Sequence, residues 1–305
     1  MNDQAFIRHF ATVRDYLFAL PLAREDLAPL LSKEVVEQQQ FLFMRLAYSF
    51  FPLYPELREE ERTALSAASY LSAIAVYAID NVLDLQISGK AIRPLYRRSH
   101  LYFMESQRIL CTLFAHDAPF WITYYSRYED HFRELQLSEG FQKLDEMKYR
   151  EILKCKYALI HVTIDMMDHL TQHRHAEITS KLHAFLDTFT FGYNLQNEVK
   201  GLREDMETGV NNYVYWLIIE RMLSLGYRVT NVPEDIEKFL YASGIAEEVL
   251  AESNKSYDQV CSMAVELGLP EFILIVSHRK AENEKRISML ESYFEELDAE
   301  SMANV

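Results

Sequence analysis

The stretch that decides the fold is residues 65–86, which read LSAASYLSAIAVYAIDNVLDLQ. Its first fifteen residues, 65–79, carry no charge and are mostly apolar. A membrane-spanning helix needs about 20 such residues, so this stretch is too short to cross a bilayer. It therefore predicts a helix buried in a protein core, and we expect no membrane span.

The composition of the remaining chain extends this helical prediction. Gly and Pro number 8 each among 305 residues, about one residue in twenty, where roughly 12% is usual. So few turn-forming residues argue against a β-rich protein, and no linker or repeat marks a domain boundary. We predict one all-α domain over residues 1–305, a large helical bundle around a central cavity. The predicted helices are 3–20, 33–50, 57–86, 91–115, 119–136, 144–172, 177–208, 212–226, 234–242, 245–266 and 271–298.

Charge and cysteine content narrow the class of protein. The chain has 31 Lys and Arg against 46 Asp and Glu, a formal charge of −15, which argues against a nucleic-acid binder. The first ten residues, MNDQAFIRHF, do not have the apolar core of a signal peptide. The three cysteines form no CxxC pair, so no disulfide framework is indicated. We expect a cytoplasmic protein.

The first candidate site is a pair of acids at the end of the apolar stretch. Asp80 and Asp84 are spaced i, i+4, which places both carboxylates on one helical face. Two such carboxylates repel unless a cation lies between them or they point into water. The pair suits Mg²⁺, which binds a few protein oxygens together with water and phosphate oxygens. A solvated helix end is the alternative interpretation.

The second candidate site lies more than a hundred residues downstream, in residues 191–216, FGYNLQNEVKGLREDMETGVNNYVYW. Asn197, Gly201 and Asp205 recur at i, i+4 and i+8 and so line one stripe of a helix. Glycine in mid-helix costs roughly 1 kcal/mol relative to alanine, which indicates close approach of another group at Gly201. A solvated charged face is again the alternative.

Together, the two motifs resemble the metal-binding motifs of class I isoprenoid synthases. The second resembles the NSE/DTE motif of class I terpene synthases, with Asp205 in place of the usual Glu. Gly201 has no hydroxyl, so the resemblance implies that water or Glu198 replaces that ligand. The first motif is a shortened form of DDxxD, because Asn81 occupies the site of the second acid.

Residues 152–162, ILKCKYALIHV, resemble the helix whose lysine contacts diphosphate in prenyl diphosphate synthases and related enzymes. This resemblance assigns Lys156 to the diphosphate, with Lys154 as the next choice and Arg93 as a further basic residue that could reach the phosphate end. It also implies aromatic residues around a carbocation, where each cation–π contact contributes an estimated ~0.5–2 kcal/mol. The aromatic candidates are Tyr77, Tyr157, Phe191 and Tyr193.

The resemblance implies a Mg²⁺-dependent terpene synthase that ionises a linear polyprenyl diphosphate, cyclises or rearranges the cation, and releases diphosphate. It implies three Mg²⁺ ions bound with the substrate, and it is compatible with a homodimer. The first alternative is a prenyltransferase of the prenyl diphosphate synthase or squalene/phytoene synthase type, although such enzymes usually carry two strong aspartate-rich motifs. A non-catalytic helical interaction protein is the second alternative. A further DxxD, Asp165 and Asp168, is expected to consist of surface acids.

Overall fold

The computed structural model describes residues 4–22, 27–29, 31–32, 42–83, 89–138 and 142–303. Twelve α-helices occur in this part of the chain, and none of its residues forms a strand. The first six are α1 Gln4–Phe18, α2 Leu42–Phe50, α3 Glu59–Leu83, α4 Ile92–Leu113, α5 Phe120–Ser138 and α6 Glu146–Lys156. The others are α7 Ala158–Leu170, α8 Ala176–Thr208, α9 Tyr213–Ser224, α10 Pro233–Ala242, α11 Ile245–Leu267 and α12 Pro270–Ala303. The predicted all-α fold is confirmed.

Helix ends follow the turn-forming residues of the sequence. Gly209, Gly226 and Gly268 follow α8, α9 and α11, and each has a positive φ. One predicted helix, 144–172, is instead divided into α6 and α7 at Tyr157, whose φ and ψ are −97° and 10°. The predicted helices 33–50 and 57–86 extend beyond the described residues, which begin at Leu42 in the first case and end at Leu83 in the second.

The chain forms two compact units, each built from two separate segments. Unit 1 comprises residues 1–129 and 158–183, and unit 2 comprises residues 130–157 and 184–305. Helices α5 and α8 each contribute residues to both units. The single domain predicted from the sequence stays a prediction.

Unit 1 is organised around α3, the helix that contains the apolar stretch. Its alanines, among them Ala68 and Ala75, are buried and leave the backbone accessible to α4. Ser106 and Ser99 of α4 donate hydrogen bonds to the carbonyl oxygens of Ala68 and Ala75, both at 2.8 Å. Small side chains on α3 thus allow close helix packing, and the serine hydroxyls find partners inside the core.

Unit 2 is organised around the second half of α8. Phe185, Leu195 and Val199 are almost fully buried, and the ring of Phe185 packs edge-on against Phe272 of α12. Gly192 lets α11 approach, because a Cβ there would lie 3.0 Å from the Cβ of Ser256.

No helix in the described part of the chain is long and apolar enough to cross a membrane.

Candidate functional site

The turn after α8 shapes the candidate site in unit 2. Gly209 has a φ of 76°, which reverses the chain, and the Val210 amide donates to the Asp205 carbonyl at 2.8 Å. Three residues later Asn212 caps α9, because its side-chain oxygen accepts from the Tyr215 amide at 3.1 Å. The turn thereby returns the start of α9 to the side of α8 that carries the second motif.

Asn212 links three backbone and side-chain groups at this turn. Its side-chain nitrogen donates to the Asp205 carboxylate at 2.7 Å and to the Glu198 carbonyl at 3.0 Å. Asn212 is almost fully buried. The amide side chain therefore fixes the carboxylate of Asp205 relative to the helix that carries it.

Glu198 lies at the centre of the polar groups. Its carboxylate accepts from the Tyr213 amide at 2.7 Å and from the Asn194 side chain at 3.1 Å, and it hydrogen bonds with the hydroxyl of Tyr149. Burial raises the pKa of Glu198 to about 7, with the charge of Asp205 adding to the rise and that of Lys156 opposing it. Near neutral pH this carboxyl can hold or lose a proton.

Lys156 is the last residue of α6 and is solvent-exposed, yet its charge acts on Glu198. A cation is favourable at a helix C-terminus, where carbonyl groups carry partial negative charge. Lys154 is also exposed but lies two positions earlier, so it projects from a different face of α6. Of the two predicted lysines, Lys156 is the one whose charge is described as acting on Glu198.

Gly201 and Asp205 lie one turn apart on α8. A Cβ at Gly201 would lie 3.3 Å from Asp205 Oδ2, so the missing side chain leaves room for the carboxylate. The nearest group to Gly201 is therefore the Asp205 side chain of the same helix. Asn197, the first residue of the motif, is partly buried on the same helix.

The aromatic candidates of unit 2 occupy different surroundings. Tyr157 donates its hydroxyl to the Asn194 side chain at 2.8 Å and so belongs to the site. Phe191 is buried, with the guanidinium of Arg150 3.5 Å above its ring. Tyr193 lies further along α8, stacked on Phe189. The carbocation roles of all three stay predictions.

The remaining candidates belong to unit 1. Tyr77 is 56% exposed on α3, and Arg93 is exposed near the start of α4. Only the helical backbone is described for Asp80, while Asp84 lies outside the described residues. The structure thus brings together Lys156, Tyr157, Glu198, Gly201 and Asp205, and the acidic pair stays a prediction.

Sequence reasoning missed three residues that hold the site together, Tyr149, Asn194 and Asn212. Tyr149 and Asn194 are buried, and the Asn194 amide donates to the Tyr149 hydroxyl at 3.0 Å. The ring of Tyr149 stacks on that of Tyr213 with centroids 4.4 Å apart. Only Asn212 had a readable signal, since asparagine before the apolar run YVYWLII is a typical helix N-cap.

The oxygen atoms of this site are of the kind that coordinates a hard cation. Asp205, Glu198 and Asn197 offer carboxylate and amide oxygens, which Mg²⁺ prefers. Among the described residues, however, no three His, Cys, Asp or Glu side chains are grouped so as to hold a metal ion. The predicted ligand set also includes Asp80 and Asp84, whose side chains lie outside the described part of the chain, so the metal site stays a prediction.

The prediction that Asp165 and Asp168 are surface acids is wrong, because both are buried in unit 1. Asp165 accepts from Arg127 at 2.8 Å and pairs with His183 at 3.1 Å. Asp168 accepts from Thr179 at 2.9 Å. Burial works to raise the pKa of Asp165, but the contacts with His183 and Arg127 outweigh it and lower the pKa. The sequence did not reveal that these acids are buried, because their partners come from other segments of the chain.

Comparison with known proteins adds no relative to this description. The chain matches no model of a known protein family, and no curated protein matches it.

Proposed function

We propose that this protein is a Mg²⁺-dependent class I terpene synthase that acts on a linear polyprenyl diphosphate. The proposal includes a cytoplasmic location, a homodimer, and release of diphosphate after the carbocation has cyclised or rearranged. It rests on the resemblance of the two sequence motifs to those of class I isoprenoid synthases.

One observation carries the proposal. Lys156 and the acids Glu198 and Asp205 come from separate segments, and the resemblance assigned the lysine to diphosphate and the acids to metal. In unit 2 the charges of Lys156 and Asp205 both act on Glu198. The lysine and the acids, assigned from separate segments, are thus close enough for their charges to interact, which supports the proposal.

The roles of the residues follow from their contacts. Asp205, Asn197, Asp80 and Asp84 would hold Mg²⁺, which would neutralise charge on the leaving diphosphate. Lys156 would add a positive charge at the same end of the substrate. Asn212 positions Asp205 through its 2.7 Å hydrogen bond, and Gly201 leaves room for that carboxylate. Glu198 would hold a proton or a charge according to pH.

The direct experiment is incubation with C10, C15, C20 and C25 prenyl diphosphates and Mg²⁺, with measurement of released diphosphate and of organic products. We expect Mg²⁺-dependent diphosphate release and a product with the carbon number of its substrate. A product longer than the substrate would indicate a prenyltransferase. No release from any substrate would indicate a helical protein without this catalysis.

Variants test the assigned residues. Lys156→Met keeps the apolar stem and removes the charge, so we expect kcat to fall at least about tenfold, a barrier increase of roughly 1.4 kcal/mol. Lys154→Met is the matched control on the same helix and should change kcat little. A larger loss in the Lys154 variant would transfer the role to that residue.

The acidic residues are tested in the same way. Asp80→Asn should abolish turnover with little change in the thermal midpoint, because it removes one of two like charges. Asp205→Asn should also abolish turnover, whereas Glu204→Gln, an exposed neighbour, should not. Wild-type turnover in either aspartate variant would contradict the metal assignment.

A further inference from the structure

A second charged cluster in unit 2 lies between α8 and α12. Its cations are Lys200 of α8 with Arg279 and Arg286 of α12, which recur at i and i+7 and so share one helical face. The carboxylate of Glu282 lies 3.7 Å from the Lys200 ammonium and 3.4 Å from the Arg279 guanidinium. Lys200 and Arg279 thus share one carboxylate, and the charge of Arg286 also acts on Lys200, in a protein whose net charge is −15.

Arg286 has an unused donor in this cluster. Its Nη1 atom is buried from solvent and has no hydrogen-bond partner among the described residues. Glu237 and Glu247 act with Arg286 on the hydroxyl of Tyr241, and Glu247 Oε2 is likewise buried without a described partner, but no described ion pair joins either acid to Arg286. A buried guanidinium nitrogen without an acceptor is unfavourable, so an external acceptor would stabilise it.

The other two cations both contact Glu282. Arg279 lies 5.3 Å from the centre of the Tyr193 ring, and only 16% of its side chain is exposed. Burial lowers the pKa of Lys200, and the charges of Arg279 and Arg286 lower it further against the opposing effect of Glu282. The field at Lys200 includes two like charges, which is the condition that favours an anion.

Uncharged donors and acceptors complete the surroundings. The side chain of Gln196 donates to Glu282 at 3.2 Å and accepts from the Tyr257 hydroxyl at 3.3 Å. Gln196 and Tyr257 are almost fully buried. Gln196 thus contacts Glu282 directly, and neither Gln196 nor Tyr257 adds negative charge.

We propose that Lys200, Arg279 and Arg286 form a binding site for a doubly charged tetrahedral oxyanion of the phosphate class. Arginine presents paired N–H donors that match phosphate oxygens, and lysine adds a point charge. The site is separate from the cluster around Glu198. Lys200 is two positions after Glu198 on α8. Because a helix turns about 100° per residue, the side chains of Glu198 and Lys200 project about 160° apart.

The experiment is titration of the full chain with inorganic phosphate in Mg²⁺-free buffer, at ionic strength held constant with chloride, followed by calorimetry. We expect saturable binding by the wild type. Arg286→Gln and Arg279→Gln should each weaken it at least tenfold, whereas Arg228→Gln, an exposed arginine outside the cluster, should not. Glu282→Gln removes the competing carboxylate and should tighten binding severalfold.

The last variant separates a ligand site from an ordinary ion-pair network. If the cluster were only structural, Glu282→Gln would lower stability without increasing phosphate affinity, and that result would overturn the proposal. Equal affinities in the Arg286 and Arg228 variants, or no saturable binding by the wild type, would overturn it as well. Asp205→Asn should leave phosphate binding unchanged, so failure here is distinguishable from failure of the proposed function.

Discussion

Replacing Glu198 by glutamine should change how stability depends on pH. The pKa of this carboxyl is raised from 4.5 to about 7 in the folded protein, chiefly by burial. A group whose folded pKa is raised stabilises the fold at low pH, and that contribution disappears as pH rises through the folded value. The wild type should therefore lose stability between about pH 5 and pH 8 through this residue.

The size of the effect follows from the two pKa values. With 4.5 for the unfolded chain and about 7 for the folded one, linkage gives a loss of about 2–3 kcal/mol between pH 5 and pH 8. Glutamine has nearly the same shape and keeps an oxygen acceptor for the Tyr213 amide, but it does not titrate. The variant should lack this loss and should become the more stable protein at the alkaline end.

The measurement is urea unfolding followed by circular dichroism at several pH values, comparing the wild type with Glu198→Gln. The other ionisable residues are the same in both proteins, so the difference between the two curves isolates Glu198. Glu204→Gln is the matched control, because that residue is exposed. Parallel pH profiles for the wild type and the Glu198 variant would refute the reasoning.

Three further substitutions test packing and charge by the same unfolding measurement. Asp165→Asn should lower the free energy of unfolding by about 3 kcal/mol near neutral pH, because it breaks the buried ion pair with Arg127. Since the pKa of Asp165 is lowered in the folded protein, the wild type should lose this stabilisation only as the pH falls below the ordinary value of 3.8. An unchanged midpoint would contradict the pairing. Gly192→Ala should destabilise by about 1–3 kcal/mol, because its Cβ would meet α11 at 3.0 Å. Gly201→Ala meets only the movable tip of Asp205 and should be neutral, or stabilising by up to about 1 kcal/mol; equal losses in the two glycine variants would contradict this.

The helices were largely predictable from the sequence because their signals are local. The scarcity of Gly and Pro, the apolar stretch at 65–79, and the glycines after α8, α9 and α11 all act within a few residues. The division at Tyr157 was not predictable from these signals, since no Gly or Pro marks it. Its hydroxyl bonds to Asn194, a residue 37 positions away.

The candidate site was predictable only in part, for the same physical reason. The motif spacing identified Gly201 and Asp205, and the resemblance identified Lys156. The hydrogen bonds that hold the Glu198 carboxyl come from Tyr149, Asn194 and the Tyr213 amide, and two of these three partners come from other helices. Spacing along one helix contains no information about such partners.

The short connection from α8 to α9 has a consequence for how the chain can change. Residues 209–212 must reverse direction at Gly209 and bring Asn212 to Asp205, and the next residue, Tyr213, must place its amide on Glu198. The hydrogen bonds from Asn212 to Asp205 and from Tyr213 to Glu198 form together only when the connection has this number of residues. Substitutions can therefore be tolerated at some positions of the connection. An insertion or a deletion would displace the N-cap of α9 from Asp205 and the Tyr213 amide from Glu198 at the same time. A label or tag should therefore not be inserted at residues 209–212. The exposed stretch that follows α9 makes no contact with the Glu198 carboxyl in the described structure and is the better place for an insertion.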